Sequence, residues 1–286
     1  MTYQLPAATI VEEVTLQVAD IDKMVAFYTK IIGLKTLTKT TVSATLAAQG
    51  TDVSIVRLEK TNNESSSSQA TTGLYHTAFL LPFRKDLANM LVWFIKNKVD
   101  LGGADHGYSE ALYLRDPEGN GIEIYWDRPL ETWTIRPNGE IIGVTEELAV
   151  EDLLQAADGK WLGLVPGSKI GHVHLQVADL KATQGFYQRL GFTRTSNFGS
   201  QAKFFAAGSY HHHLGINTWN GAFLPKRKKS ALGLVSYRFR LPDKRAYQQL
   251  KQLVQEEKLV FSKEENHLVI EDPNGMFIIF SYKPNK

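Results

Sequence analysis

The sequence predicts an α+β fold made of four copies of one small module, in which a strand and a helix are followed by three more strands (βαβββ). Three observations support this prediction. The two halves of the 286-residue chain repeat each other, each half repeats again internally, and apolar residues alternate along the segments expected to form strands. A chain of this length can also bury the cores of two ordinary domains.

The repeat between the halves begins with the segments that start at Val11 and Ile170. The first segment reads Val-Glu-Glu-Val-Thr-Leu-Gln-Val-Ala-Asp, and it aligns with Ile-Gly-His-Val-His-Leu-Gln-Val-Ala-Asp in the second half. Each segment is followed by a Phe-Tyr pair and then by Gly-Leu or Gly-Phe. Later in each half, Asp-Pro-Glu-Gly begins at Asp116 and Asp-Pro-Asn-Gly begins at Asp272. Several matches in the same order indicate a duplicated unit.

Each half then divides into two modules. The first module, over 10–58, has an alternating strand, an amphipathic helix over 22–32, and short strands rich in Thr, Val and Ile. The same order of elements is predicted for the other three modules, which span 73–127, 170–219 and 232–282. In the second module the predicted elements are a strand over 75–81, a helix over 85–97, and strands near 111–114 and 121–126.

A connector containing proline and glycine separates the halves. We therefore predict a first domain over 8–128, a connector over 129–168 with a short helix near 150–157, and a second domain over 169–286. Within the first domain, the stretch 61–72 is rich in Ser, Thr and Asn and is predicted to be a mobile loop.

Composition limits the classes of function. The 32 basic and 30 acidic residues nearly balance, which argues against a nucleic-acid surface, and the basic cluster from Lys226 to Lys229 is predicted to be a solvated loop. No apolar run is long enough to span a membrane and no secretory signal is visible, so a cytoplasmic location is the default expectation. Because the chain has no cysteine, any bound metal must use nitrogen and oxygen ligands.

Three polar residues share the concave face of the predicted strands. Val173 and Leu175 belong to the face that packs on the helix, which places His172, with His174 and Gln176, on the opposite face. The same alternation places His76 and Glu123 there, and an unpaired carboxylate between two isoleucines would be costly to bury. Taken singly, each residue would be interpreted as an ordinary hydrogen-bonded side chain. Together, at equivalent strand positions of repeated modules, they predict a site for one divalent metal.

The modules that carry these residues resemble the vicinal oxygen chelate superfamily, which includes glyoxalase I, fosfomycin resistance proteins and extradiol ring-cleaving dioxygenases. The resemblance covers both halves. It depends on the segment His-Val-His-Leu-Gln-Val-Ala-Asp from His172, on His76 at the matching strand, and on Gly-Ile-Glu-Ile around Glu123. It implies that pairs of modules curl into two half-barrel sites of the kind found in glyoxalases and extradiol dioxygenases.

The metal site depends on which modules pair. Pairing modules three and four would leave His172 without partners able to hold a metal, and pairing one and two would give the acidic set Glu13, His76 and Glu123. Pairing two and three joins His76, Glu123 and His172, a set that leaves open positions on a non-haem iron. This third pairing resembles that of dimeric glyoxalases and is our prediction, with modules one and four forming a half-barrel without metal.

Two further segments resemble extradiol dioxygenases. Tyr210-His-His-His-Leu-Gly is similar to the Arg-His-His-x-Leu-Ala segment of that family, which implies an acid–base role for His212. Strand alternation instead turns His211 and His213 inward unless a bulge intervenes, so His213 stays a second candidate after His212. The family also places a His and then a Tyr before its Glu ligand, which implies a catalytic role for Tyr113, with His106 as a looser match.

The whole chain resembles catechol dioxygenases of the Gram-positive type, which implies an extradiol dioxygenase that uses Fe(II), or else Mn(II), to add O₂ to a catechol- or hydroquinone-type aromatic. Two alternatives stay open. A glyoxalase-like isomerase or thiol transferase would use Ni(II) or Zn(II) with a fourth protein ligand from the segment 211–217, for which His213 is the candidate. A non-catalytic protein of this fold would only bind an aromatic compound or a drug. Homo-oligomer formation also stays open.

Overall fold

Two curled β-sheets with helices packed against them form the computed structural model, which describes residues 3–61, 70–264 and 267–283. The predicted loop over 61–72 lies mostly outside these residues. The first module contains β1 (Ile10–Val18), α1 (Ile21–Lys30), β2 (Lys35–Lys39), β3 (Ser43–Ala47) and β4 (Val56–Lys60). The second contains β5 (Gly73–Leu80), α2 (Arg84–Lys96), β6 (Gly102–Asp105), β7 (Ser109–Arg115) and β8 (Gly121–Asp127).

The connector and the second half continue this order. The connector holds a single 3-10 turn, β9 (Glu146–Glu147) and α3 (Val150–Gln155). The third module contains β10 (Lys169–Gln176), α4 (Leu180–Arg189), β11 (Thr193–Phe198), β12 (Ala202–Ala206) and β13 (Leu214–Asn217). The fourth contains β14 (Gly233–Leu241), α5 (Lys244–Glu256), β15 (Phe261–Glu264), β16 (His267–Glu271) and β17 (Phe277–Tyr282). The four predicted βαβββ modules are therefore confirmed.

The modules pair across the halves of the chain. Modules four and one form an eight-stranded sheet in the order β15-β16-β17-β14-β1-β4-β3-β2. Modules three and two form a nine-stranded sheet in the order β11-β12-β13-β10-β5-β8-β7-β6-β9, with the connector strand β9 at one edge. The predicted pairing of module two with module three is confirmed. Each sheet contains strands from both halves, and the division into domains over 8–128 and 169–286 stays a prediction.

The repeated motifs explain how the halves hold together. In α1 and α4 an aspartate caps the helix N-terminus: Asp20 accepts from Lys23 N at 3.0 Å and Asp179 accepts from Ala182 N at 3.0 Å. The tyrosine of each Phe-Tyr pair then donates to the aspartate of the Asp-Pro-x-Gly turn in the next module, over 3.1 Å in both halves. These buried bonds join one module of each sheet to one module of the other.

The basic cluster from Lys226 to Lys229 departs from its prediction at one residue. Arg227 is buried, with 5% of its surface exposed, whereas the three lysines are exposed. The Arg227 backbone N–H donates to Thr72 Oγ1 at 3.0 Å, and its guanidinium donates to the Ala231 carbonyl. The prediction of a fully solvated loop was wrong here because tertiary hydrogen bonds hold this arginine in the interior.

In the part of the chain that the structure describes, no helix is long and apolar enough to cross a membrane.

Candidate metal centre

Three ligand atoms from three neighbouring strands meet on the concave face of the nine-stranded sheet. His76 Nε2 lies 3.0 Å from Glu123 Oε2, and His172 Nε2 lies 3.3 Å from the same oxygen and 3.3 Å from His76 Nε2. All three side chains are buried. In the sheet, Ala78 pairs with His172 on one side and with Glu123 on the other, so only a small methyl group stands between them.

These distances fit one divalent ion. Ligands about 2.1 Å from an ion and at right angles to each other would lie about 3.0 Å apart, close to the observed separations. Two imidazoles and one carboxylate on one side of the ion leave its other positions open. Among the described residues, one group of His, Asp or Glu side chains has ligand atoms close enough together to hold an ion, and it consists of His76, Glu123 and His172.

The protonation states suit metal binding as well. Burial lowers the pKa of His172 to about 4, so its ring is neutral near pH 7. Burial alone would raise the pKa of Glu123, but the neighbouring His172 and His76 hold it well below its usual range, so this side chain is a carboxylate. A metal needs these deprotonated forms, and no proton has to be displaced from either group at neutral pH.

Two glycines allow close packing of neighbouring atoms beside the centre. A Cβ atom on Gly171 would lie 1.7 Å from the Tyr125 hydroxyl oxygen, and one on Gly121 would lie 2.0 Å from the Tyr75 carbonyl oxygen. Both separations are far below van der Waals contact, so neither position tolerates a side chain without movement. Each glycine stands within two residues of a ligand, His172 or Glu123, and therefore helps to position it.

A cavity of about 280 Å³ opens onto the three ligand atoms. Its remaining wall is largely aromatic, and the aromatic side chains that line it, apart from histidines, are those of Tyr75, Tyr108, Tyr113, Phe198, Phe204 and Trp219. The connector contributes Gly143, Val144 and Thr145 to the wall. None of the described residues that line the cavity is a lysine or an arginine.

The predicted pair His106 and Tyr113 lies in this cavity wall. Tyr113 stands opposite Glu123 in the pairing of β7 with β8. His106 Nδ1 lies 2.8 Å from the Val144 carbonyl oxygen and His106 Nε2 lies 2.6 Å from the Tyr113 hydroxyl. A carbonyl can only accept, so Nδ1 carries the proton in the neutral ring and the Tyr113 hydroxyl donates to Nε2. Burial raises the pKa of Tyr113 well above its ordinary value, so the phenol stays protonated.

The structure separates the two adjacent histidine candidates. His212 lines the cavity, and its ring centroid lies 4.1 Å from that of His172. His213 does not line the cavity, and its Nδ1 accepts from the Ala207 N–H at 3.2 Å. Strand alternation pointed to His213 incorrectly, because β13 begins only at Leu214 and the alternation does not extend back through the histidines.

Several residues of the cavity were absent from the predicted site. Alternation placed His174 on the same concave face as His172, but His174 was not predicted to take part in the site, and the structure places it in the cavity wall. Its Nε2 is buried and has no hydrogen-bond partner among the described residues. Tyr75, Tyr108 and Trp219 carry no motif that marks them. Tyr108 and Trp219 lie outside the strands, and Tyr75 lies at the register shift between β5 and β10.

Known proteins are similar to this chain in sequence. The family model "Glyoxalase/Bleomycin resistance protein/Dioxygenase superfamily" matches residues 10–124. The catechol-2,3-dioxygenase of Bacillus subtilis (strain 168) is 38% identical over 269 residues, which cover 93% of this chain and 94% of that protein.

Solved structures are similar in fold at much lower sequence identity. A predicted dioxygenase from Bacillus subtilis subsp. subtilis str. 168 has a TM-score of 0.67 at 13% identity, covering 100% of this chain and 87% of that chain. A glyoxalase I mutant from Zea mays has a TM-score of 0.57 at 15% identity, covering 96% and 94% of the two chains. The chain thus belongs to the glyoxalase/bleomycin resistance protein/dioxygenase superfamily.

Proposed function

We propose that the chain is a metal-dependent extradiol dioxygenase that opens the ring of a catechol-type aromatic with O₂. The observation that carries this proposal is the convergence of His76, Glu123 and His172 at the base of an aromatic-lined cavity that also contains His212 and Tyr113. The 38% identical catechol-2,3-dioxygenase supports the same reaction, because the similarity covers nearly the whole length of both chains.

The metal would be Fe(II), with Mn(II) as the alternative. Three protein ligands on one side of the ion are typical of non-haem oxygenases, which need free positions for substrate and oxygen. When bound, the ion would hold the two catechol oxygens beside O₂ and allow electrons to pass from the aromatic ring to the oxygen. Each of the three ligand residues would orient one lone pair toward this ion.

The remaining residues of the cavity would move protons and hold the ring. His212 would take a proton from one catechol hydroxyl and later return it to an oxygen derived from O₂. Tyr113 would hydrogen-bond a substrate oxygen, and its hydroxyl is already oriented by the 2.6 Å contact to His106. The aromatic side chains would pack on the substrate ring and exclude water. Because no lysine or arginine lines the cavity, we expect catechols without a carboxylate substituent to be preferred.

The overall reaction balances without a further reductant. Catechol supplies the electrons, O₂ accepts them, and both oxygen atoms enter the product. The C–C bond between one hydroxylated carbon and its unsubstituted neighbour breaks, which leaves an acid, an aldehyde and an enol on an open chain. No other oxidant or reductant needs to enter the cavity.

The glyoxalase-like alternative has less support. It requires a fourth protein ligand from the segment that contains β13, and His213 was the candidate. Its Nδ1 accepts a hydrogen bond from the Ala207 N–H, and the ring does not line the cavity. A protein that binds aromatics without turnover would need no acid–base residue beside the metal ligands, yet the His212 ring lies 4.1 Å, between centroids, from that of the ligand His172.

Oxygen uptake tests the proposal. The protein is loaded anaerobically with Fe(II), mixed with catechol in aerated buffer, and followed by an oxygen electrode and by absorbance of the yellow ring-opened product. We expect one O₂ consumed per catechol. A panel of substituted catechols and hydroquinones extends the test, and a glutathione hemithioacetal tests the isomerase reaction. Absence of oxygen uptake with the whole panel would refute the dioxygenase proposal.

A further inference from the structure

A chain of three side chains leads from the end of β8 to the cavity wall. Asp127 Oδ1 lies 2.9 Å from His211 Nε2, and His211 Nδ1 lies 2.7 Å from His212 Nδ1. Both histidines are buried, with 2% and 5% of their surface exposed. Of these three residues, His212 is the one that lines the cavity.

The hydrogen-bond partners restrict where the protons can be. A carboxylate only accepts, so the proton between Asp127 and His211 belongs to His211 Nε2. In a neutral ring, His211 Nδ1 then has a lone pair and must accept from its neighbour, so His212 carries its proton on Nδ1. The His212 Nε2 atom is left with a lone pair. No hydrogen bond joins this atom to another residue in the described part of the chain.

Three tyrosines hold the chain of side chains in place. The Tyr210 hydroxyl donates to the second oxygen of Asp127 at 2.8 Å and lies 2.8 Å from the Tyr125 hydroxyl. The His211 ring stacks on Tyr108, with ring centroids 4.5 Å apart and an interplanar angle of 18°. Asp127 thus has both oxygens engaged, and the His211 ring can neither flip nor rotate without losing several contacts.

We propose that Asp127 and His211 are positioning residues that fix the tautomer of His212, so that His212 presents an unprotonated Nε2 to the cavity and begins each turnover as a proton acceptor. This inference rests on the proposed dioxygenase function. It assigns an order to the acid–base role of His212, because a ring with this tautomer cannot donate a proton into the cavity before it has accepted one.

The first proton transfer follows from this arrangement. An O–H bond of the catechol breaks, an N–H bond forms at His212 Nε2, and the electron pair stays on the catechol oxygen. The His212 ring becomes a cation, which the Asp127 carboxylate stabilises through His211. The same proton is then available for the later step in which an oxygen derived from O₂ needs one.

Nitrogen NMR of the metal-free protein tests the tautomer directly. Histidine labelled with ¹⁵N distinguishes a ring protonated on Nδ1 from one protonated on Nε2 and from the doubly protonated cation. At neutral pH we expect His212 protonated on Nδ1 and His211 protonated on Nε2. A wild-type spectrum in which His212 carries its proton on Nε2 would overturn the inference, and this measurement requires no variant.

Asp127→Asn tests the positioning role through both spectrum and kinetics. An amide can donate to or accept from His211, so the single tautomer of His212 should give way to a mixture. We expect kcat to fall about 10- to 100-fold, as for other supporting hydrogen-bond partners, with KM within about twofold of wild type. Asp127→Glu keeps the carboxylate and should recover part of kcat. An Asp127→Asn protein with the wild-type tautomer and kcat would overturn the proposal.

Asp272→Asn is the matched control. Like Asp127, Asp272 accepts from a tyrosine hydroxyl, but it is buried in the turn between β16 and β17 of the eight-stranded sheet and does not line the cavity. We expect this variant to lose stability while its His212 spectrum and kcat stay at wild-type values.

The experiments also distinguish failure of the tautomer proposal from failure of the proposed function. If wild-type protein loaded with Fe(II) fails to consume O₂ with catechols, the function is refuted, whereas the tautomers of His211 and His212 are measured independently of turnover.

Discussion

The Nε2 atoms of His76 and His172 lie 3.3 Å apart, although the two residues belong to different halves of the chain. They meet because β5 and β10 pair side by side at the centre of the nine-stranded sheet. In the eight-stranded sheet, the position equivalent to His172 holds Glu13, which lies 3.5 Å from Arg238 and 3.7 Å from Arg57. One half-barrel therefore places ion-paired side chains where the other places its candidate metal ligands.

Gly171→Ala should destabilise the protein and disturb the ligand beside it. The new methyl group would lie 1.7 Å from the Tyr125 hydroxyl oxygen, so β10 or the tyrosine must move. We expect a loss of about 1–3 kcal/mol in the free energy of unfolding, measured by urea denaturation. Gly185→Ala is the control, because its methyl group meets nothing within 4 Å in the middle of α4.

Gly185→Ala should instead increase the free energy of unfolding, by about 0.5–1 kcal/mol, because alanine favours the helix more than glycine does. If both variants proved equally stable, the close packing of β10 against Tyr125 would be contradicted.

His213 should make the stability of the metal-free protein sensitive to acid. Burial lowers the pKa of this histidine to about 3, against about 6.5 in an unfolded chain. Above pH 6.5 both states are neutral. As the pH falls below that value, the unfolded chain binds a proton that the folded protein does not, so stability is lost from about pH 6.5 down to about pH 3.

At about pH 5 this effect of His213 corresponds to about 2 kcal/mol. In His213→Asn, the amide oxygen can still accept from the Ala207 N–H, but no proton is taken up on unfolding. Urea denaturation at about pH 7.5 and about pH 5 should show that wild type loses about 2 kcal/mol more than the variant. Equal losses would contradict a neutral, buried His213.

Tyr113→Phe should lower kcat about 10- to 100-fold in the oxygen-uptake assay, because it removes a hydroxyl that faces the cavity and donates to His106. The aromatic ring remains, so KM should change far less than kcat. Tyr187→Phe is the control, since Tyr187 is a buried tyrosine whose hydroxyl contacts Tyr237 and Asp272 outside the cavity. A kcat unchanged by Tyr113→Phe would remove this residue from the proposed mechanism.

Much of the architecture was predictable because the fold repeats. Alternation along each first strand and the Asp-Pro-x-Gly turns located the modules, and helices predicted over 22–32 and 85–97 occur as α1 and α2 with ends that differ by at most two residues. Comparing equivalent positions among modules then identified one pairing that brings two histidines and one glutamate together. This reasoning succeeded because side chains on regular strands alternate between two faces.

The parts of the site outside regular strands could not be predicted in this way. The segment His211–His213 precedes β13, so alternation had no basis there and favoured the wrong histidine for the cavity. Asp127 reaches His211 across 84 residues of sequence, and no local pattern reports such a contact. The wall formed by Val144 and its neighbours depends on how the connector folds back, which only tertiary packing determines.

Metal content tests the central claim most directly. Wild type and variants are loaded anaerobically with Fe(II), desalted and measured by mass spectrometry of the metal. The account predicts about one ion per chain in wild type, less than about a tenth of that in His76→Ala, Glu123→Ala and His172→Ala, and about one in Glu13→Gln, which changes the equivalent position of the other sheet. Retention of the full metal content by any of the three ligand variants, or its loss in Glu13→Gln, would contradict a single centre assembled across the halves.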